Sequence, residues 1–335
     1  GLVMPVYYYQ LIEQARRLKR GQDRKSYLAE VGQMLEAFSK RASHNPYAQF
    51  EGAMSADEIL GAEPLTDLYT KRMIAQDSVN QGAALLLTTV GKAQELGIPE
   101  NNRVYLHGAA QGMDLDLSRR PDPSRSEMAA KVLDRALDMA GKNAADLELL
   151  DIYSCFPCAV TAVSDHLGLE PGGELTLTGG LPYFGGPGNS YSMHGLAEMW
   201  SRIRQHPSQY ALVHANGGVL TKHATGVFSC LPSDIDWSQQ GTGISSDGLA
   251  SVEQIAEPEG GTIISYSVNY HKGEPIQGIA LCETDEGKRF CCCTAPQDLA
   301  TVNEMLGIEP AGRRVAVTPQ QEKPDTLHFK FISTA

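Results

Sequence analysis

The sequence predicts a layered α/β domain followed by an all-β module, and two observations carry that reading. Between about residues 103 and 229, strand-length apolar runs alternate with segments of helical period, the pattern of helices laid on a sheet rather than bundled with one another. Past Pro232 the helical period is confined to 296–306. GTIISYSVNY, QGIALCETD, KRFCCCTA, RRVAVTP and TLHFKF follow one another between Gly, Pro and Asp turns, as in a small barrel or sandwich.

Taken in order, residues 5–20 and 26–42 carry apolar residues at helical spacing, and Pro46 in SHNPYAQF stops the second helix. Residues 55–60 and 65–75 read as short helices, and AALLLTTV (83–90) has the length and apolarity of a strand. Strand 103–110 leads to a helix at 124–140, which Ser124 caps with Glu127 three residues on. Strand 147–153, helix 158–167, a glycine-rich loop, helix 192–205 and strands 210–215 and 219–229 complete the alternation. The polar, glycine-containing stretch 233–250 then joins on a module expected to be separable, whose removal leaves the glycine loops intact.

Composition narrows the function. A chain of 335 residues, 42% hydrophobic and 20% charged, holds two or three domains with cores of their own. A net charge of −12 argues against a general nucleic-acid or anionic-membrane binder, and the basic run Arg16, Arg17, Lys19 and Arg20 reads as a solvated helix face. The seven cysteines offer one CxxC, Cys155 and Cys158, with no second pair, so no metal site is expected. Reduced thiols fit the cytoplasm. No apolar run approaches the ~20 residues of a membrane span. The opening GLVMPVYYYQ is abrupt, as though cut from a longer chain.

Glycines mark the candidate site. GGLPYFGGPGNSYSMHG (179–195) and HANGGVLTKHATG (214–226) flank a helix, and glycine tolerates φ > 0 and close contact with a ligand. Gly185, Gly186, Gly188, Asn216, Gly217 and Gly218 are the expected substrate-binding positions; tight connections alone are the alternative. His107, His166, His206 and His214 read as structural, and Met4, Tyr7, Tyr8 and Tyr9 as a packing stripe.

Together SHNPYAQF, DSVNQGAALLLTT (77–89), DIYSCFPCAV (151–160) and the two glycine loops resemble the thiolase superfamily, most of all the sterol-carrier-protein thiolases and their thiolase-like type 1 relatives. The resemblance implies a thiolase-like layered α/β/α/β/α fold, here partial, with a helical loop domain and a C-terminal all-β module. It assigns 1–95 to the loop domain plus the last strand of the N-terminal domain, 96–235 to the C-terminal thiolase domain, and 236–335 to the additional module. It implies an acyl-CoA thioester as substrate or ligand, with no covalently bound cofactor, and an oligomer.

None of the seven cysteines matches the family nucleophile, so the resemblance places that thiol on a missing N-terminal segment or a partner chain. Tyr153-Ser154-Cys155-Phe156 stands where the relatives have His-Asp-Cys-Phe, Asn189 replaces the histidine of a Gly-His-Pro loop, and Ala215 replaces the cysteine of a Cys-x-Gly motif. Asn189 can donate to an oxyanion but cannot take a proton. His194 and His223 are then the candidate bases, with Tyr153 beside them at a strand end, each with a packing role as its alternative. An acyltransferase of the acetyl-CoA acetyltransferase kind and a noncatalytic acyl-CoA-binding or scaffolding protein both remain open.

Overall fold

The computed structural model describes residues 4–320 and 326–332. Pro5 opens α1 (Pro5–Lys19), and Asp23, accepting from Ser26 N, caps α2 (Arg24–Ala42). After the short α3 (Ala56–Leu60), residues 65–75 form turns with isolated bridges instead of the expected helix. The run 83–89 has no strand partner among the described residues and lies extended, with Leu86 and Leu87 80% and 86% exposed, until α4 (Val90–Glu95) begins. Strand propensity alone cannot pair a backbone that meets no sheet edge.

Then comes the alternation: β1 (Tyr105–Met113), α5 (Glu127–Ala140), β2 (Leu147–Ile152), α6 (Pro157–Leu167), α7 (Tyr191–Ile203), β3 (Tyr210–Gly217), β4 (Lys222–Ser229) and β5 (Gly243–Ile244). The cap of α5 is Ser126, which accepts from Ala129 N, whereas the Ser124 hydroxyl is taken by Asp122. The sheet order is β2-β3-β4-β1-β5, with β2 parallel to β3, β1 parallel to β5, and β4 antiparallel to both neighbours. Helix α5 lies so close on β1 that a Cβ at Gly108 would come 1.9 Å from Ala136 O. On the other face α7 buries Met199 and Ile203 against Ala211 and Val213 of β3. Because β5 pairs with β1, residues 243–244 belong to the α/β sheet, beyond the expected boundary at 236.

The all-β module is a closed barrel built from β6 (Gly260–His271), β7 (Glu274–Glu283), β8 (Arg289–Cys293), β9 (Arg314–Pro319) and β10 (Leu327–Phe331). Helix α8 (Leu299–Gly307) lies between β8 and β9, and the cyclic order β6-β7-β8-β10-β9 is that of a five-stranded OB-type barrel. Side chains alternate: Cys292 points into the barrel with Cys282, while Cys291 and Cys293 join Ile279 and Leu281 on its outer face.

That outer face is not free. It carries α1, a helix that buries polar side chains beside its apolar ones, with Gln10, Glu13, Gln14, Arg16 and Arg17 at most 4% exposed. Buried polar groups cost stability unless they are hydrogen-bonded, and those of α1 are, Gln14 Nε2 being the exception. Arg16 forms a bidentate pair with Asp165 of α6 at 2.7 and 2.8 Å, and Arg17 reaches Glu309 beyond α8 at 2.5 Å. Glu13 accepts from the Tyr27 and Tyr69 hydroxyls. Arg16 and Arg17 are therefore interdomain ties rather than a solvated face.

Candidate functional site

A cavity of about 1020 Å³ opens at the carboxyl ends of β1, β2 and β3, where crevices of α/β sheets form. The Gly217-Gly218 turn, Asn216, His223, Tyr153 and, at its mouth, the exposed Asn189 line it. Sequence reasoning missed Tyr9, Cys155 and the β5 segment Gly243–Ser246, which line it too. His194 is packed on Phe184 away from the cavity, its Nε2 buried without a partner. Gly185, Gly186 and the exposed Gly188 also lie off the cavity. Their loop is braced from behind, because Gln49 N and Gln81 Nε2 donate to Phe184 O and Asn45 Nδ2 donates to Thr178 O. The motifs SHNPYAQF and DSVNQGA thus hold the glycine loop in shape.

Tyr9 stacks on Phe156 with ring centroids 4.2 Å apart, and its hydroxyl accepts from Asn216 Nδ2 at 2.9 Å and Leu220 N at 3.1 Å. Asn216 is 7% exposed, and its Oδ1 has no partner. Cys155, just before the start of α6, lies 3.5 Å from Asn216 Nδ2. Burial pushes its thiol up to about 11 and the Tyr153 phenol up to about 12.

Both ring nitrogens of His223 are engaged. Leu220 O, 3.2 Å from Nε2, can only accept, so Nε2 carries the proton and also donates to Ser126 Oγ at 2.9 Å. Ser126 in turn donates to Asp114. His223 Nδ1 then accepts from His214 Nε2 at 3.4 Å, and His214 Nδ1 accepts from Thr225 Oγ1 at 2.8 Å. Burial holds both rings neutral, His223 at about 4 and His214 well below the usual range. His214 thus belongs to a buried chain of hydrogen bonds running from Asp114 to Thr225.

These shifts set a pH dependence. The histidines contribute stability that is fully present above about 6.5 and lost as pH falls through about 4, roughly 3 kcal/mol for His223 alone. Asp151, fully buried under Thr176, Leu177 and Thr178, is raised to about 6 chiefly by desolvation. Its contribution runs the other way, present below about 3.8 and lost as pH rises through about 6. The buried Glu13 and Asp67, also raised, act in the same sense as Asp151, and the lowered His194 acts with the other two histidines, so the testable contrast is the variant: Asp151→Asn is expected to make the slope of unfolding free energy against pH more positive between about 4 and 6. Urea titrations at several pH values check it; a flatter slope in the variant contradicts the assignment.

A second cleft of about 910 Å³ lies on the α7 side of the sheet, walled by Leu85–Val90, Leu196, Trp200 and Phe228. Ala215, Ala224 and Ser192 line both spaces. Among the described residues no group of three or more His, Cys, Asp or Glu is arranged to hold a metal, and no helix is long and apolar enough to cross a membrane.

No protein-family model matches the chain. Among solved structures it is similar to a monomeric SCP2-thiolase-like protein type 1 from Mycobacterium smegmatis, with 35% identity and a TM-score of 0.89 over 99% of this chain and 74% of that one. Among curated proteins it is 25% identical over 156 residues to an acetyl-CoA acetyltransferase of Methanocaldococcus jannaschii, covering 44% of this chain and 39% of that protein. It is 24% identical over 177 residues to sterol carrier protein 2 of Oryctolagus cuniculus, covering 48% and 32%. The chain spans well under half the length of these curated relatives.

Proposed function

The chain belongs to the SCP2-thiolase-like proteins, and from that membership we propose that its cavity binds acyl-CoA thioesters. The observation that carries the proposal is Asn216 Oδ1, a buried carboxamide oxygen without a partner on a largely apolar cavity wall. An unmet buried acceptor costs about 1–3 kcal/mol, so the site favours a ligand that brings a donor. The amide N–H groups of a pantetheine arm are such donors, and the apolar wall suits the acyl group. In this reading Asn189, at the mouth, donates to the carbonyl oxygen of the thioester.

In this proposal the acyl-transfer chemistry needs a further contribution. His223 has no free nitrogen, and Cys155 and Tyr153 hold their protons at neutral pH, so the cavity groups bind and polarise rather than exchange protons. A thiol from a second α/β unit, on the same polypeptide or a partner, attacks the carbonyl. The C–S bond to coenzyme A breaks, and the thiol proton passes to the departing thiolate. The apolar cleft behind Leu86 and Leu87 is the seat of that unit. Without it the protein is an acyl-CoA carrier, the second reading, which the cavity groups favour, since burial holds His223 at about 4 and keeps Cys155 and Tyr153 protonated. Seven free cysteines accord with work in the cytoplasm.

Isothermal titration with coenzyme A and acetyl-, octanoyl- and palmitoyl-CoA tests the binding. Saturable heat is expected, and none up to millimolar ligand overturns the proposal. Acetoacetyl-CoA thiolysis by the chain alone is expected ~10²–10⁴-fold below that of an ordinary thiolase, the usual cost of a missing general base. A comparable rate would sink the division of labour.

A further inference from the structure

Leu220, in the turn between Gly218 and His223 of the cavity wall, is among the described residues the one buried non-glycine residue whose backbone is left-handed, with φ +55°. Leucine gains nothing intrinsically from that conformation, which persists only where the surroundings over-determine it. Here they do so from three sides. Tyr9 Oη accepts from Leu220 N at 3.1 Å, while Arg120 Nη2 at 2.5 Å and His223 Nε2 at 3.2 Å donate to Leu220 O.

Two of these three holds lead back to the barrel. Tyr9 sits on α1, which Ser265 Oγ of β6 ties by donating to Leu11 O at 2.6 Å, and which Gln10 links through Asp67 to Val268 N. Arg120 is steadied by Arg289 of β8, a residue 5% exposed whose guanidinium donates to Arg120 O at 3.2 Å and Pro121 O at 3.1 Å. Glu283 completes that guanidinium's bonding at 2.7 Å. Neither Arg289 nor Ser265 lines the cavity, yet Arg289 bonds Arg120 itself and Ser265 bonds Leu11, two positions along α1 from Tyr9.

We infer that the barrel is a clamp on the strained turn Gly217–Thr221, with Arg289 and Ser265 as positioning residues acting through Arg120 and Tyr9. The clamp keeps Asn216 and the Gly217-Gly218 backbone turned to the cavity. Its effect on affinity rests on the reading of that cavity as a thioester site; its effect on the turn does not.

The experiment therefore reads both. Amide hydrogen exchange over residues 217–223 is compared for the full chain and for Arg289→Met, Arg289→Lys and Tyr9→Phe, alongside titration with acetyl-CoA. Exchange in this segment is expected to run about tenfold faster in Arg289→Met and Tyr9→Phe, the loss of roughly one buried hydrogen bond, while α7 and β2 keep wild-type protection. Arg289→Lys should recover part of it. Adding Leu220→Gly to Arg289→Met should bring acetyl-CoA affinity back toward wild type, since glycine adopts the turn unaided. Should Arg289→Met fail to fold, Tyr9→Phe, which loses one oxygen, decides alone. Unchanged exchange at 217–223 in folded Arg289→Met and Tyr9→Phe overturns the clamp. Wild type that binds no acetyl-CoA overturns the ligand reading instead and leaves the exchange result to stand by itself.

Discussion

Gly179→Ala is expected to destabilise the protein by ~3–5 kcal/mol, combining left-side backbone strain with overpacking. At φ +112° this residue lies outside even the small left-handed region open to alanine. A Cβ there would stand 2.4 Å from both Cα and Cβ of Ala42 and 2.6 Å from its N, at the end of α2. Backbone cannot swing aside as a side-chain tip can. The glycine loop would have to leave α2, carrying Asn189 with it. Gly82→Ala is the control: it has open space and no positive φ, and is expected to change stability by less than about 0.5 kcal/mol. Urea denaturation of both variants checks the contrast, and equal midpoints would refute the packing argument.

Arg120→Met should cost ~3–5 kcal/mol, because it leaves a buried carboxylate without its cation. The two side chains are 4% and 3% exposed, with Arg120 Nε 3.9 Å from Asp114 Oδ2. Burial pulls the guanidinium down and Asp114 partly offsets this, so the pair exists by mutual need. Arg120 also donates to Leu115 O and Leu220 O, which would lose their donor. The diagnostic is the double variant. Asp114→Asn added to Arg120→Met removes the stranded charge and should regain part of the loss, the single carboxamide oxygen still accepting from one of the two donors, Leu115 N or Ser126 Oγ, that the carboxylate holds. A double variant no more stable than Arg120→Met would mean that charge is not what the pair contributes.

Much of the fold was legible because local pattern and tertiary outcome agree. The alternation from β1 to β4 and all five barrel strands lie close to where periodicity puts them, and the Gly217-Gly218 turn does face the cavity. The misses share a cause: their conformation is decided by a distant partner. Residues 83–89 look like a strand but meet no sheet. Ser124 looks like a cap, yet Asp122 captures its hydroxyl and passes the cap to Ser126. Tyr9 is one of three consecutive tyrosines, and which of them enters the cavity follows from the phase of α1, fixed by contacts with β6 some 250 residues away. His223 reads as a candidate base because sequence shows a histidine beside a glycine turn, not the carbonyl and hydroxyl at its Nε2 or the His214 ring at its Nδ1.

The position of α1 also orders the folding of the chain. Its ties to Ser265, Tyr266 and Glu309 span sequence separations of 254, 249 and 292 residues. At the usual ~5–20 residues per second of synthesis, the helix leaves the ribosome roughly 15–60 s before Glu309 exists. An ordinary central helix, apolar on every side, would spend that time as a sticky nascent segment. Glutamines, a glutamate and arginines let α1 wait in water, and the later-made barrel strands then close over it in a long-range docking step.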